Sequence, residues 1–508
     1  MKAIATFDPG LQVRVLIEQF PQIQPVLAAH GLDSCCGGEH SLRQACAAKG
    51  VPLEEVLREF KHSRLAPSNE QAKAVAFSPH FLIGSLALTL TLGATTGMVN
   101  LLRIAAGGDV PIDHRQIHGH TQILGFAAMF LMGIAYHALP RVLGLPGFRP
   151  AGVRPAFWLM LSGVLLRNLG QSFGFFPWGR AVSFASAGLE IASGLLFARF
   201  VFTALRAGQM GKYDRSDPLY RFVRAGTVYF AIALALLAAQ GVWLAGHMET
   251  ALPVSLCEPF YFVSLYGFLL AWIYGVGSRL VSTFLGTGPA RKTMTDIALR
   301  TQAAGTLLAL TSWLPVLPDA AALALRDAGL ALAAVSALAY LAGLGFLWRH
   351  SVFPAMRAPG APTFAIRTAF GFLGLWAVLE LAGVLLSRTT ALPAQNLWWS
   401  DAARHVFSIG FLTLLIVGMS IRVLPVFTGK RLWSPRLAHA TYALIVAGTA
   451  MRLLQYPAAF RPVFYEIGSY MGIPVVLGLV FFSVNLVRTV RARPAAAPLA
   501  ALPVLPTG

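Results

Sequence analysis

Apolar runs of about 20 residues recur from residue 77 to the C-terminal end, and no other feature limits the possible folds so strongly. Twenty residues of α-helix cover the ~30 Å hydrocarbon core of a bilayer. The runs fall near 77–102, 118–139, 155–175, 181–203, 221–246, 257–280, 296–316, 324–347, 365–387, 402–424, 435–456 and 466–487. They predict an all-α, polytopic membrane protein of twelve transmembrane helices, with the lipid bilayer as its main partner. Of the 508 residues only 12% are charged, half the ~25% usual for soluble proteins. Without lipid so apolar a surface is not tolerable, which excludes a soluble enzyme and a disordered chain.

The net charge of +19 would point to nucleic acid in a soluble protein. Here the distribution of Lys and Arg argues for loops instead, and no nucleic-acid partner is expected. Connections 2–3, 4–5, 6–7, 8–9, 10–11 and the C-terminal tail carry 23 of the 40 Lys and Arg, whereas the other six connections carry 7. By the positive-inside rule both termini are cytoplasmic, in a bacterial inner membrane.

Residues 1–66 read as a small helical head, 67–76 as a polar linker, 77–490 as the membrane domain and 491–508 as an Ala/Pro-rich disordered tail. Residues 1–30 lack the layout of a cleavable signal, so the head is expected to stay in the reducing cytoplasm. Its cysteines, Cys35, Cys36 and Cys46, are then candidates for chemistry or metal binding rather than disulfides. Gly37 and Gly38 follow at a predicted helix start, where free backbone N–H groups stabilise thiolates. Such thiols suit iron, nitrosyl or persulfide chemistry; the alternative is inert thiols packing a mini-domain.

Three runs share one pattern. The second carries His120, Gly125, Phe126, Gly133, His137 and Gly144; the tenth carries His405, Gly410, Phe411, Gly418, Arg422 and Gly429, a constant offset of 285. The sixth carries Gly267, Phe268, Gly275, Arg279 and Gly286, offset 142 from the second. Glycine is common where membrane helices pack closely, but the joint spacing predicts three units of four helices, a pseudo-threefold (3 × 4) bundle. Most solute carriers are built from two repeats instead.

His120 and His405 occupy equivalent positions near the outer ends of their helices. Two imidazoles from two helices of one bundle can clamp a haem by bis-histidine ligation; hydrogen-bonded interfacial histidines are the alternative. His114 and His118 stand four residues apart on one face, and His120 points about 200° away from His118. The first face can serve a second metal, such as copper, or simply cap the helix. His247 and Met248 are a weaker copper candidate in an outer connection. Arg167, Arg452, Glu190 and Glu380 lie inside runs, where charge is costly unless paired or functional. The two arginines are positioned to neutralise haem propionates or to pair with the glutamates.

At these residues two resemblances enter. The head, from Asp33 through Cys35-Cys36-Gly37-Gly38 to Ser41-Leu42, Cys46 and Leu53-Glu54-Glu55-Val56-Leu57, resembles the N-terminal domain of ScdA-type iron-centre repair proteins. Iron at the head is therefore implied, although the hemerythrin-like domain that usually follows in that family is missing. Residues 77–490 resemble the NnrS family, most strongly over His118-Gly-His120-Thr-Gln-Ile-Leu-Gly125 and on to Pro140-Arg141. The resemblance implies a haem- and copper-containing inner membrane protein of the nitric oxide and denitrification response, with b-type haem and nitric oxide as ligands. It also implies that His120 and His405, with His118, bind the haem.

The second run is further similar to a span of haem-copper oxidase core subunits. Those draw copper ligands from spans six and seven, where this chain has no histidine, so an oxygen-reducing binuclear centre and proton pumping are not implied. An oxidoreductase acting on nitric oxide and a carrier for a metal or thiol adduct both remain open at this point. The sequence does not identify an electron donor.

Overall fold

Helix is the only regular structure among the described residues. The computed structural model describes 9–13, 16, 23, 26, 27, 30, 32, 41–63, 79–143, 145, 148–210, 216–285, 290–345, 360–389, 393–428, 430–458 and 463–492. Cys35, Cys36, the linker and the tail beyond 492 lie outside these residues.

In the head, helix α1 (Leu42–Lys49) opens with a reciprocal cap. The Ser41 hydroxyl accepts from the Gln44 N–H at 3.2 Å, and the Ser41 N–H donates to Gln44 Oε1 at 3.1 Å. Two of the four free N–H groups at the helix start are thereby satisfied. The helix stops at Gly50, whose φ of 65° suits a residue without Cβ. Helix α2 (Leu53–Ser63) follows, placing Val56 and Phe60 on the apolar face. The head core joins these to Val13, Leu16, Ile23, Leu27, Leu42 and Cys46.

Among the described residues, nine further helices are long and apolar enough to cross a membrane. They are α3 (His80–Ala105), α4 (Ile112–Val142), α6 (Pro177–Gly208), α7 (Pro218–Gly246), α8 (Val254–Val281), α10 (Asp319–Leu344), α11 (Ala361–Leu386), α12 (Trp399–Pro425) and α14 (Glu466–Arg491). The chain is a multi-pass membrane protein. The remaining three apolar runs form α5 (Val153–Ser172), α9 (Lys292–Thr311) and α13 (Pro435–Leu453). These have 20, 20 and 19 residues, a bilayer's length, but fall short in apolarity. The shortfall has a cause: polar side chains such as Arg167, Gln302 and Arg452 turn into the protein from them.

The three short helices sit at matching places, each packed on the helix that follows through a glycine. A Cβ on Gly163 would meet Glu190 of α6; on Gly305, Gly329 of α10; on Gly448, Val475 of α14. At the chain ends Gly472 of α14 lies against Met98 of α3, so the last long helix touches the first.

A second shared feature lies in α4, α8 and α12. Each widens into a π-helical stretch: Thr121–Ala128, Val263–Leu269 and Val406–Thr413. The stretches begin immediately after His120, Phe262 and His405. π-Turns displace backbone carbonyls and occur mostly at functional sites. Neighbouring side chains meet part of the demand. Gln302 donates to the Tyr266 carbonyl at 2.7 Å, and the Thr413 hydroxyl donates to the Ser408 carbonyl at 2.8 Å.

The repeated glycines of these helices face close neighbours. A Cβ at Gly133 would stand 2.5 Å from the Cβ of Phe81 in α3, where neither atom can rotate away. Gly133→Ala is therefore expected to cost about 1–3 kcal/mol, as other overpacked cores do. Thermal unfolding in detergent measures this; an unchanged midpoint would mean that α3 and α4 do not meet there.

Candidate functional site

The N-terminal ends of α4 and α12 bring together residues that lie almost 300 positions apart in the sequence. On α4, His118 holds its Nδ1 at 2.9 Å from the Gly93 carbonyl of α3. The ring lies flat in space left by Gly97, where a Cβ would come within 2.5 Å of it. On α12, His405 holds its Nδ1 at 2.7 Å from the Asp401 carbonyl, one turn earlier. In both rings the carbonyl partner calls for the proton on Nδ1 and leaves Nε2 unprotonated, the form of imidazole that can ligate a metal.

His118 and His405 lie within electrostatic reach of each other, and His118 also feels Asp401 and Arg452. Both rings are only half-buried, His405 with 22% and Asp401 with 43% of the side chain accessible. Arg452 of α13 pairs with the Asp401 carboxylate and reaches to 3.5 Å from His405 Nδ1. Gln455 also donates to Asp401, at 3.4 Å. Close by, Arg404 pairs with Glu258 at 2.7 Å and covers the Tyr261 ring.

His120 does not join this group. The helix turn carries it to the opposite side, where Nε2 meets Glu190 Oε1 of α6 at 2.8 Å. The pair is buried, with 3% of His120 and none of Glu190 accessible. Phe260 stacks on the imidazole with ring centres 5.9 Å apart. Arg167 lies within electrostatic reach of Glu190 and donates to Gln171 at 2.9 Å and Gln240 at 3.2 Å. Gln171 continues to Gln116 at 3.1 Å, and Gln116 pins the 5–6 connection through Leu252. The matching arginines Arg167 and Arg452 thus serve two separate networks.

The other sequence candidates are spread apart. His114 sits half-buried one turn before His118. Among the described residues no further His, Cys, Asp or Glu converges with the two to make a group of three. His247 is exposed, stacked 4.4 Å from Trp243 with Nδ1 on the Trp243 carbonyl. Cys46 is a free thiol, 1% accessible, in the head core. Burial pushes this thiol's pKa up, the reverse of what a reactive or metal-binding sulfur needs.

Between α4, α8 and α12 lies a cavity of about 150 Å³ lined by apolar side chains, among them Phe130, Trp272 and Met419. It begins near the C-terminal ends of the three π-helical stretches.

Two imidazoles, each held through Nδ1 on a carbonyl, are a donor set that suits a haem iron. The guanidinium groups of Arg452 and Arg404 nearby are paired with Asp401 and Glu258. The fold thus defines a polytopic helical membrane protein. Residues 72–493 match the family model described as NnrS protein, and the chain belongs to that family. Residues 12–64 match ScdA_N, a domain of unknown function (DUF542). No curated protein matches the chain.

Proposed function

We propose that this protein is a haem-binding inner membrane protein of the nitric oxide response, with a b-type haem held by His118 and His405. The observation that carries the reading is the shared arrangement of those two rings, each with Nδ1 on a backbone carbonyl and each within electrostatic reach of the other. Membership of the NnrS family supports the nitric oxide role. The short helices α5, α9 and α13 complete twelve spans in three units of four, supported by the matching glycine contacts and π-helical stretches. Loop charge supports cytoplasmic termini in a bacterial membrane.

In this reading a bound haem supplies a redox-active iron with affinity for diatomic ligands. The chain does the rest. Gly93 and the Asp401 carbonyl fix the two ligand tautomers. Arg452 and Arg404 balance negative charge. Nitric oxide is small and weakly polar, so the apolar cavity between α4, α8 and α12 offers it a way through the bundle.

Purified protein is expected to show the Soret band of low-spin b-type haem, and nitric oxide titration should shift it stoichiometrically as one of the two imidazoles gives up its place to the gas. Protein without haem that moves a metal or thiol adduct across proteoliposomes would instead make it a carrier.

A further inference from the structure

Away from the membrane helices, the head gathers three ligand-bearing side chains. Glu55 and Glu59 are one turn apart on α2, and His30 comes to them from the segment before α1. One ligand atom from each lies within 4.8 Å of the others. We infer that His30, Glu55 and Glu59 form a binding site for a divalent first-row metal cation. The inference is independent of the haem reading.

Three observations carry it. First, His30 Nε2 lies 2.9 Å from Glu59 Oε2 yet makes no hydrogen bond, although the nitrogen is buried from solvent. The carboxylate oxygen therefore sits off the axis of the ring nitrogen. That is the relation of two ligands aimed at a common point: atoms bound to one metal at ~2.1 Å stand ~3 Å apart when cis. A rotation of the Glu55 side chain brings in the third oxygen.

Second, two carboxylates at i and i+4 on a helix repel each other. No Lys or Arg pairs with either among the described residues. A cation between them removes the repulsion. Third, the helix dipole explains acid only in the first turn, where Glu54 and Glu55 stand. Glu59 lies beyond that turn, where the dipole does not stabilise it. One imidazole with two carboxylates suits Fe(II), Mn(II) or Zn(II), leaving positions for water. Cys46 is not a member, since it lies in the apolar core.

The test uses full-length protein in detergent, stripped with chelator and titrated anaerobically with Co(II). Calorimetry reads affinity, and cobalt K-edge absorption reads the neighbours. One cobalt per chain is expected, with nitrogen and oxygen neighbours at ~2.1 Å and no sulfur. Glu59→Gln and Glu55→Gln should each weaken binding on the order of 10-fold or more. Both glutamates are accessible on α2, so these swaps should leave the far-ultraviolet dichroism of the chain unchanged. A Cys35→Ser/Cys36→Ser chain should bind as before. Sulfur neighbours, loss of the site in the cysteine variant, or affinity indifferent to both glutamine variants would overturn the assignment.

Discussion

Replacing His118 or His405 by alanine is expected to empty the haem site, while His120→Ala leaves it filled. Loss of even an orienting partner of a metal ligand costs on the order of 10–100-fold in affinity, and loss of the ligand costs at least as much. The Soret absorbance per chain should therefore fall on the order of 10-fold or more in the first two variants. In His120→Ala it should keep its position and intensity, because the His120 imidazole is committed to Glu190 at 2.8 Å. The contrast between neighbours two residues apart is what makes the test sharp. If His120→Ala lost the haem and His118→Ala kept it, the pairing across α4 and α12 would be refuted. Gly97→Val offers a milder check: a side chain at the place where the His118 ring lies should displace the ring and lower haem content without removing a ligand.

The second large effect concerns the pair itself. Glu190→Leu or His120→Leu leaves one buried member without its partner, and broken buried pairs cost about 3–5 kcal/mol. Arg167 raises the stakes, because its charge loses a counterion when Glu190 goes. Equilibrium unfolding in mixed micelles should show each single variant strongly destabilised. The double variant His120→Leu/Glu190→Leu should recover part of the loss, since two apolar groups of similar size need no partner. Glu190→Gln keeps a hydrogen bond to the imidazole and should lie between. Strict additivity of the two single effects would mean that the residues do not interact.

Much of the architecture is legible in the sequence because lipid imposes it. A helix crossing hydrocarbon must be apolar for about 20 residues, so the long helices stand close to where the runs predict them. Helices α5, α9 and α13 are harder to classify because their inner faces carry Arg167, Gln302 and Arg452. Single-window apolarity undervalues a helix that trades lipid contact for internal hydrogen bonds. Gly125, Gly267 and Gly410, spaced by 142 and 143 residues, all fall within π-helical stretches. The stretches themselves leave no trace in a residue pattern, since one extra residue per turn changes no composition.

The histidine assignment shows the same boundary. That His118 and His120 point to different sides follows from helix geometry alone. Which of them meets His405 depends on how α4 is rotated against its neighbours, and that rotation is set by packing such as Gly97 against the His118 ring. Cys46 differs in another way: a cytoplasmic head makes it a candidate for chemistry, but it packs in the head core as a small apolar residue. His30 carries no motif of its own. The only sign was a pair of glutamates one turn apart on the amphipathic helix α2.

The widened turns in α4, α8 and α12 also change which way the helices face. Each begins one residue after His120, Phe262 or His405, and α3 carries a shorter one at Thr89–Gly93. A π-turn holds more residues than an α-turn, so side chains beyond it are swung round the axis relative to those before it. A face traced at about 3.6 residues per turn from either end of such a helix therefore does not continue across the stretch.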